Sequence, residues 1–203
     1  GAKKCATAEL SARLSRLPQW DDMIPRVKSS SALTATDVER VSLPGKLVEL
    51  VRGQLVVSEP PGTRHGAIAA NLAYYLGDFV RRHGLGIVFA QDTGFKIGSD
   101  PDTVRAPDVA FVGRDRAAQI PPRGYADLAP DLLAEILSPG DAPAEVLAKV
   151  ADWLAAGTRL VWVVDPQRSE VRVYRRDGSL SILGESDSLD GEDVLPGFTA
   201  YRR

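Results

Sequence analysis

Cysteine is nearly absent: Cys5 is the single thiol in 203 residues. That excludes an internal disulfide framework and a cysteine-rich zinc site. Histidine is almost as scarce, with only His65 and His83, so a multi-histidine metal centre is excluded too. Neither sign of charge is in excess: 25 Lys and Arg stand against 27 Asp and Glu, for a net charge of -2. This argues against a generic basic nucleic-acid binder but leaves room for a local basic groove. No apolar run approaches the ~20 residues a membrane span needs, and the mixed first 31 residues hold no secretory apolar core. Nucleotide fingerprints of the Gly-x-Gly-x-x-Gly or P-loop kind are missing, as is a Gly-x-Ser-x-Gly elbow. No internal repeat occurs. What remains is the expectation of a cytoplasmic α/β or α+β domain with no membrane association and no organic cofactor. A chain of this length buries about two thirds of its unfolded surface and needs no staples.

Residues 1–31 read apart from the rest. They carry six basic and three acidic residues and end in a serine run, which suggests an extension or a tag-derived leader. Ala8 to Leu17 can form one short amphipathic helix. The domain proper is expected over 32–203. Thr36-Asp37 marks a cap for a short helix, and Leu47–Val51 and Gln54–Val57 flank Arg52-Gly53 as a β-hairpin. After Pro60-Pro61-Gly62, Thr63 is placed to cap a long helix to about Arg82, with Ile68, Leu72, Tyr75, Leu76 and Phe79 at helical spacing. Gly84 stops it. Strands follow at Gly86–Ala90, Gly94–Ile97, Ala106–Val112 and Leu132–Leu137, with a loop over 113–130. A helix from about Ala142 to Ala156 precedes the apolar strand Leu160–Val164. Asp177-Gly178 then turns a second hairpin, Val171–Tyr174 with Leu180–Leu183. The acidic C-terminus reads as a solvated edge. This order predicts a central mixed sheet flanked by helices, with hairpins at both ends.

The chemistry rests on carboxylates set among apolar strand residues. Asp108 lies in Ala106-Pro107-Asp108-Val109 and Glu135 in Leu132-Leu133-Ala134-Glu135-Ile136-Leu137. A buried carboxylate is costly unless a cation or donors compensate it. Two of them on different strands can converge on a hard divalent ion such as Mg²⁺, or each can sit at a strand end, solvated or paired with arginine. Lys149, at the border of its helix's apolar face, either reaches over the sheet toward developing negative charge or pairs with Glu145 one turn away. Glu49 is the lone charge of Leu47–Val51, and His65 falls on the apolar side of the long helix. Both also have bland readings, as a solvent-face residue and a satisfied core histidine.

Together these residues form an ordered set. Glu49-Leu50-Val51-Arg52-Gly53-Gln54-Leu55-Val56 is followed by His65, then Ala106-Pro107-Asp108-Val109 and Glu135-Ile136-Leu137-Ser138-Pro139. Lys149 comes next, and Gly157 leads into Val161-Trp162-Val163-Val164-Asp165-Pro166. From about Leu47 to Pro166 the chain resembles the Uma-two-like family of putative restriction endonucleases in the PD-(D/E)XK nuclease superfamily. The resemblance implies a restriction-endonuclease-like core that hydrolyses DNA phosphodiesters with Mg²⁺ or Mn²⁺. It implies Asp108, Glu135 and the Ile136 carbonyl as metal ligands, with Lys149, Glu49 and His65 completing the catalytic pocket. The superfamily's usual lysine position, two residues after Glu135, is Leu137 here, so the role passes to Lys149.

Loop arginines, Arg64 and Arg105 foremost and then Arg114, Arg116 and Arg123, are the candidate contacts to the DNA backbone. Symmetric cutting of two strands makes a homodimer the expected assembly. The alternative is a catalytically silent nucleic-acid- or protein-binding module on the same fold. A third possibility is a scaffold whose acidic residues pair with arginines.

Overall fold

The computed structural model describes residues 32–201, so residues 1–31, with the helix expected there, lie outside the described residues. It opens with a single helical turn, α1 (Ala35–Val38). The cap is Thr34, two residues before the expected position: Thr34 Oγ1 accepts from the Asp37 amide, and Asp37 reaches back to the Thr34 amide in a capping box. Strands β1 (Leu47–Val51) and β2 (Gln54–Ser58) form the expected hairpin. Arg52 and Gly53 both take positive φ, as a two-residue turn matched to strand twist requires. Helix α2 (Thr63–His83) starts at Gly62 and ends at Gly84, whose left-handed φ of 59° closes the last turn. Its buried side is His65, Ala69, Leu76 and Val80. Tyr75, expected on that side, is 59% exposed because the buried stripe runs one position further round.

Strands β3 (Gly86–Ala90), β4 (Phe95–Gly98), β5 (Thr103–Arg105) and β6 (Val109–Gly113) follow. The expected strand Ala106–Val112 therefore begins only at Val109. Pro107 offers no amide to a ladder, and Ala106-Pro107-Asp108 is irregular chain between β5 and β6. Beyond come α3 (Arg114–Ala117) in the expected loop, β7 (Leu132–Ile136), α4 (Pro143–Ala155) and β8 (Leu160–Asp165). The chain finishes with β9 (Glu170–Arg175), β10 (Leu180–Leu183), β11 (Ser188–Gly191) and β12 (Leu195–Tyr201).

The central sheet has six strands in the order β10-β9-β8-β7-β6-β3, and only β7 and β8 run parallel. A second sheet, β2-β1-β5-β4, packs beside it. Alternation sorts the central strands by face. Leu132, Ala134, Ile136, Trp162 and Val164 join the core under α2, while Leu133, Val161 and Val163 join the core under α4 with Val150 and Trp153. The C-terminal segment, expected as a solvated edge, is a hairpin of β11 and β12 that completes the α2 core with Leu189, Leu195 and Phe198. Phe198 lies edge-on to Phe79 and stacked on Trp162. Its acidic residues lie on the outside while the apolar ones between them turn inward. No helix among the described residues is long and apolar enough to cross a membrane.

Candidate active site

Strand register decides which acidic residues meet. Val109 pairs with Ala134, so Asp108, just before β6, stands across from Glu135, near the end of β7. Period two puts Glu135 on the α4 side with Leu133, and Asp108 reaches the same place from the irregular chain before β6. They face a cavity of about 830 Å³ that is also lined by Glu49, His65, Gln91, Arg105, Ile136 and Lys149. Seven of the eight residues expected to act at the site line this cavity: Asp108 and Glu135, Glu49 from β1, His65 from α2, Arg105 from β5, Ile136 from β7 and Lys149 from α4, with Arg64 the exception.

Glu135 is 8% exposed, and both of its oxygens are held from α4. Lys149 Nζ lies 2.9 Å from Oε2, and the Trp153 indole N–H donates to Oε1 at 2.9 Å. Lys149, Trp153 and the fully buried Val150 lie within about one turn, which is why one helix face supplies both donors. Burial pushes the Glu135 carboxyl up to about 7 against the pull of Lys149, and Asp108 and Glu49 add to the rise. Burial works against the charge on Lys149, but Glu135 and Glu49 outweigh it and hold the ammonium above its ordinary range. Lys149 does not pair with Glu145; its second partner is Glu49 Oε1, at 3.4 Å.

Asp108 collects donors from three elements. The Ile136 amide donates to Oδ2 at 2.7 Å, His65 Nε2 lies 3.1 Å from the same oxygen, and Gln91 Nε2 donates to Oδ1 at 3.3 Å. Gln91 Nε2 is also 3.2 Å from His65 Nδ1. An amide N–H there requires Nδ1 to accept, leaving Nε2 to donate toward Asp108. The bond to Asp108 raises the His65 pKa against burial, with smaller help from the charge on Asp108 and the Ile136 carbonyl. The Ile136 backbone thus serves the site twice, its amide on Asp108 and its carbonyl toward His65.

Arg105 departs from its expected place. It is a strand residue, 8% exposed, rather than a loop arginine open to a phosphate. Its guanidinium bridges Glu49 Oε2 at 3.0 Å and Asp152 Oδ2 at 2.6 Å, and Ala106 N completes Glu49 at 2.9 Å. Burial opposes its charge, yet Glu49 and Asp152 keep its pKa raised. The physical reason is the β1–β5 pairing, which sets Arg105 beside Glu49 and under α4. Arg64, next to His65, lies outside the cavity wall and donates to the Pro166 carbonyl at 2.7 Å. Arg114 and Arg116 sit at the opposite ends of the strands, where Arg116 pairs with Asp131 at 2.8 Å. Arg123 is exposed.

Gln91, Trp153 and Asp152 are the site residues that sequence reasoning missed. Trp153 and Asp152 carried a usable signal, since both share the helix face of Lys149. Gln91 carried none, because only the turn after β3 aims it at His65. Among the described residues, no three His, Cys, Asp or Glu side chains stand together as a ready cage for a cation. Two carboxylates and a backbone carbonyl are nonetheless hard oxygen donors, which suits Mg²⁺ or Mn²⁺ completed by water and substrate.

A mixed central sheet with helices packed against it is a fold that a solved structure shares. The crystal structure titled as "a putative nuclease belonging to DUF820" from Anabaena variabilis is similar, with a TM-score of 0.68 at 20% identity, covering 80% of this chain and 91% of that one. A family model, Uma2, described as "Putative restriction endonuclease", matches residues 36–202, and the chain belongs to that family. No curated protein matches the chain.

Proposed function

We propose that the protein is a metal-dependent endonuclease of the PD-(D/E)XK type that hydrolyses DNA phosphodiesters and works as a homodimer. The observation that supports this best is the convergence of Asp108, Glu135 and Lys149 with Glu49 and His65, from separate elements, on one cavity. Asp108, Glu135 and the Ile136 carbonyl would hold the divalent ion. When bound, such an ion supplies Lewis-acid charge to a phosphoryl oxygen and a water of lowered pKa.

The chain's own groups divide the remaining work. Lys149 carries a full positive charge on a flexible stem and stabilises negative charge building on the attacked phosphate. His65 and the Ile136 amide fix Asp108, and Gln91 fixes the His65 tautomer. Trp153 holds Glu135 Oε1 so that the carboxylate keeps one orientation. Glu49, anchored by Arg105 and Ala106 N, keeps Lys149 from swinging away. Arg64 stands at the head of α2, where it can meet the DNA backbone beside the cavity, whereas Arg105 acts through Glu49.

The decisive assay is cleavage of plasmid and single-stranded DNA with Mg²⁺ or Mn²⁺, wild type beside Glu135→Ala. Metal-dependent nicking that disappears in the variant is the expected result. Nicking that survives in it removes Glu135 from the mechanism. A silent binding module is favoured by one observation: the chain's own donors already occupy the carboxylate oxygens of Glu135 and Asp108. It would bind DNA without turnover, and binding would be indifferent to Glu135→Ala.

A further inference from the structure

Lys149 is placed unlike a surface lysine. Its Nζ lies between two carboxylates of different elements, 2.9 Å from Glu135 Oε2 and 3.4 Å from Glu49 Oε1. Glu135 Oε1 is already taken by the Trp153 indole, and Glu49 Oε2 by Arg105. Oε2 of Glu135 is therefore the one oxygen of that carboxylate held by a movable group. The charge count points the same way. Glu49, Asp108 and Glu135 line one cavity, Arg105 is shared with Asp152, and Lys46, also on the cavity wall, pairs with Glu59. Lys149 is left as the cation that offsets the cluster.

Removing that charge would leave like charges facing each other in a poorly solvated place, which is costly. A divalent cation at the same carboxylates would meet the ammonium as a repelling neighbour. The four-carbon stem of lysine, unlike the rigid fork of Arg105, allows it to withdraw.

We propose that the Lys149 ammonium is a resident counter-cation, holding Glu135 Oε2 in the metal-free protein and leaving that oxygen when a divalent ion binds. The proposal rests on Glu135 being a metal ligand. It also links the two roles of the lysine: while bound to Glu135 the ammonium is withheld from substrate, and ion binding releases it toward the cavity.

The test uses Mn²⁺ alone, without DNA, and reads melting temperature in EDTA together with Mn²⁺ affinity by calorimetry. Lys149→Met is expected to melt below wild type in EDTA and to bind Mn²⁺ about tenfold more tightly, because one repelling charge is gone. Adding Glu135→Gln to it is expected to restore the melting temperature and abolish the gain in affinity. A Lys149→Met protein that binds Mn²⁺ no more tightly than wild type overturns the proposal. If wild type binds Mn²⁺ and Glu135→Gln removes that binding, the metal reading survives such a failure and only the counter-cation falls. If no variant binds Mn²⁺, the metal reading falls and this inference with it. Should Lys149→Met not fold without metal, the double variant is expected to fold, and its failure to do so overturns the proposal equally.

Discussion

Burial opposes the charge on Glu135, and its protonation is measurable without any substrate. Its folded-state pKa of about 7 lies above the ordinary 4.5, chiefly through burial. Between those values the folded chain keeps a proton that the unfolded chain has released. The contribution of this group to stability is thus greatest below 4.5 and declines as pH rises toward 7. In EDTA, the melting temperature of wild type is expected to fall between about pH 5 and pH 8 by more than that of Glu135→Gln. Parallel curves for the two proteins would show that Glu135 titrates as an ordinary carboxylate. Metal affinity should run the opposite way and rise through the same range, since an ion must compete with the proton. Arg105 is the other residue whose removal is diagnostic. Arg105→Ala leaves Glu49 and Asp152 without their shared partner, and breaking a buried pair in this way costs about 3–5 kcal/mol. Urea denaturation should read that loss, while Arg64→Ala, with one carbonyl contact, should denature near wild type.

At the scale of elements, α4 and the C-terminal hairpin matter most. Helix α4 aims Lys149, Asp152 and Trp153 from one face, so the site and the core under α4 share a support. The hairpin β11–β12 performs the same service under α2, where Phe198, 3% exposed, fills the space between Phe79 and Trp162. Phe198→Ala is expected to destabilise the domain by about 3–5 kcal/mol, the usual cost of emptying an aromatic core position. A denaturation midpoint unchanged in that variant would mean the hairpin is an appendage. The element order, both early hairpin strands, α2 with its Gly84 stop, and the apolar strands β7 and β8 were legible in the sequence. Each depends on local periodicity and turn residues. The short strand β5 and the packed role of β11–β12 were not. Three residues carry no readable period, and an acid-rich surface masked the inward-facing Leu189, Leu195 and Phe198.

For the whole molecule, charge sets the conditions of binding. Net charge is -2, and six carboxylates line the cavity against three Lys and Arg residues. A DNA backbone brought there meets repulsion unless divalent ions intervene. DNA affinity, measured by fluorescence anisotropy with Ca²⁺ as a non-hydrolysing ion, is expected to weaken at least about tenfold in EDTA. Tight binding that ignores EDTA would place the DNA on another surface. The proposed homodimer is open to sedimentation equilibrium: a particle of twice the 21.8 kDa chain mass is expected, and a monomer would leave paired-strand cutting to successive encounters.

The candidate acids, the lysine and the histidine were readable as single residues out of place, because a charge within an apolar period shows in one dimension. The elements that hold them were readable for the same reason. Which partners they meet was not. That Lys149 takes Glu135 rather than Glu145 follows from the packing of α4 on β7. That Arg105 is a buried bridge rather than a phosphate contact follows from the pairing of β5 with β1. Gln91 reaches His65 only through the turn after β3. Spacing along a chain limits what one helix face or one strand can present, but contacts between elements depend on register and docking, and those exist only once the sheets have formed.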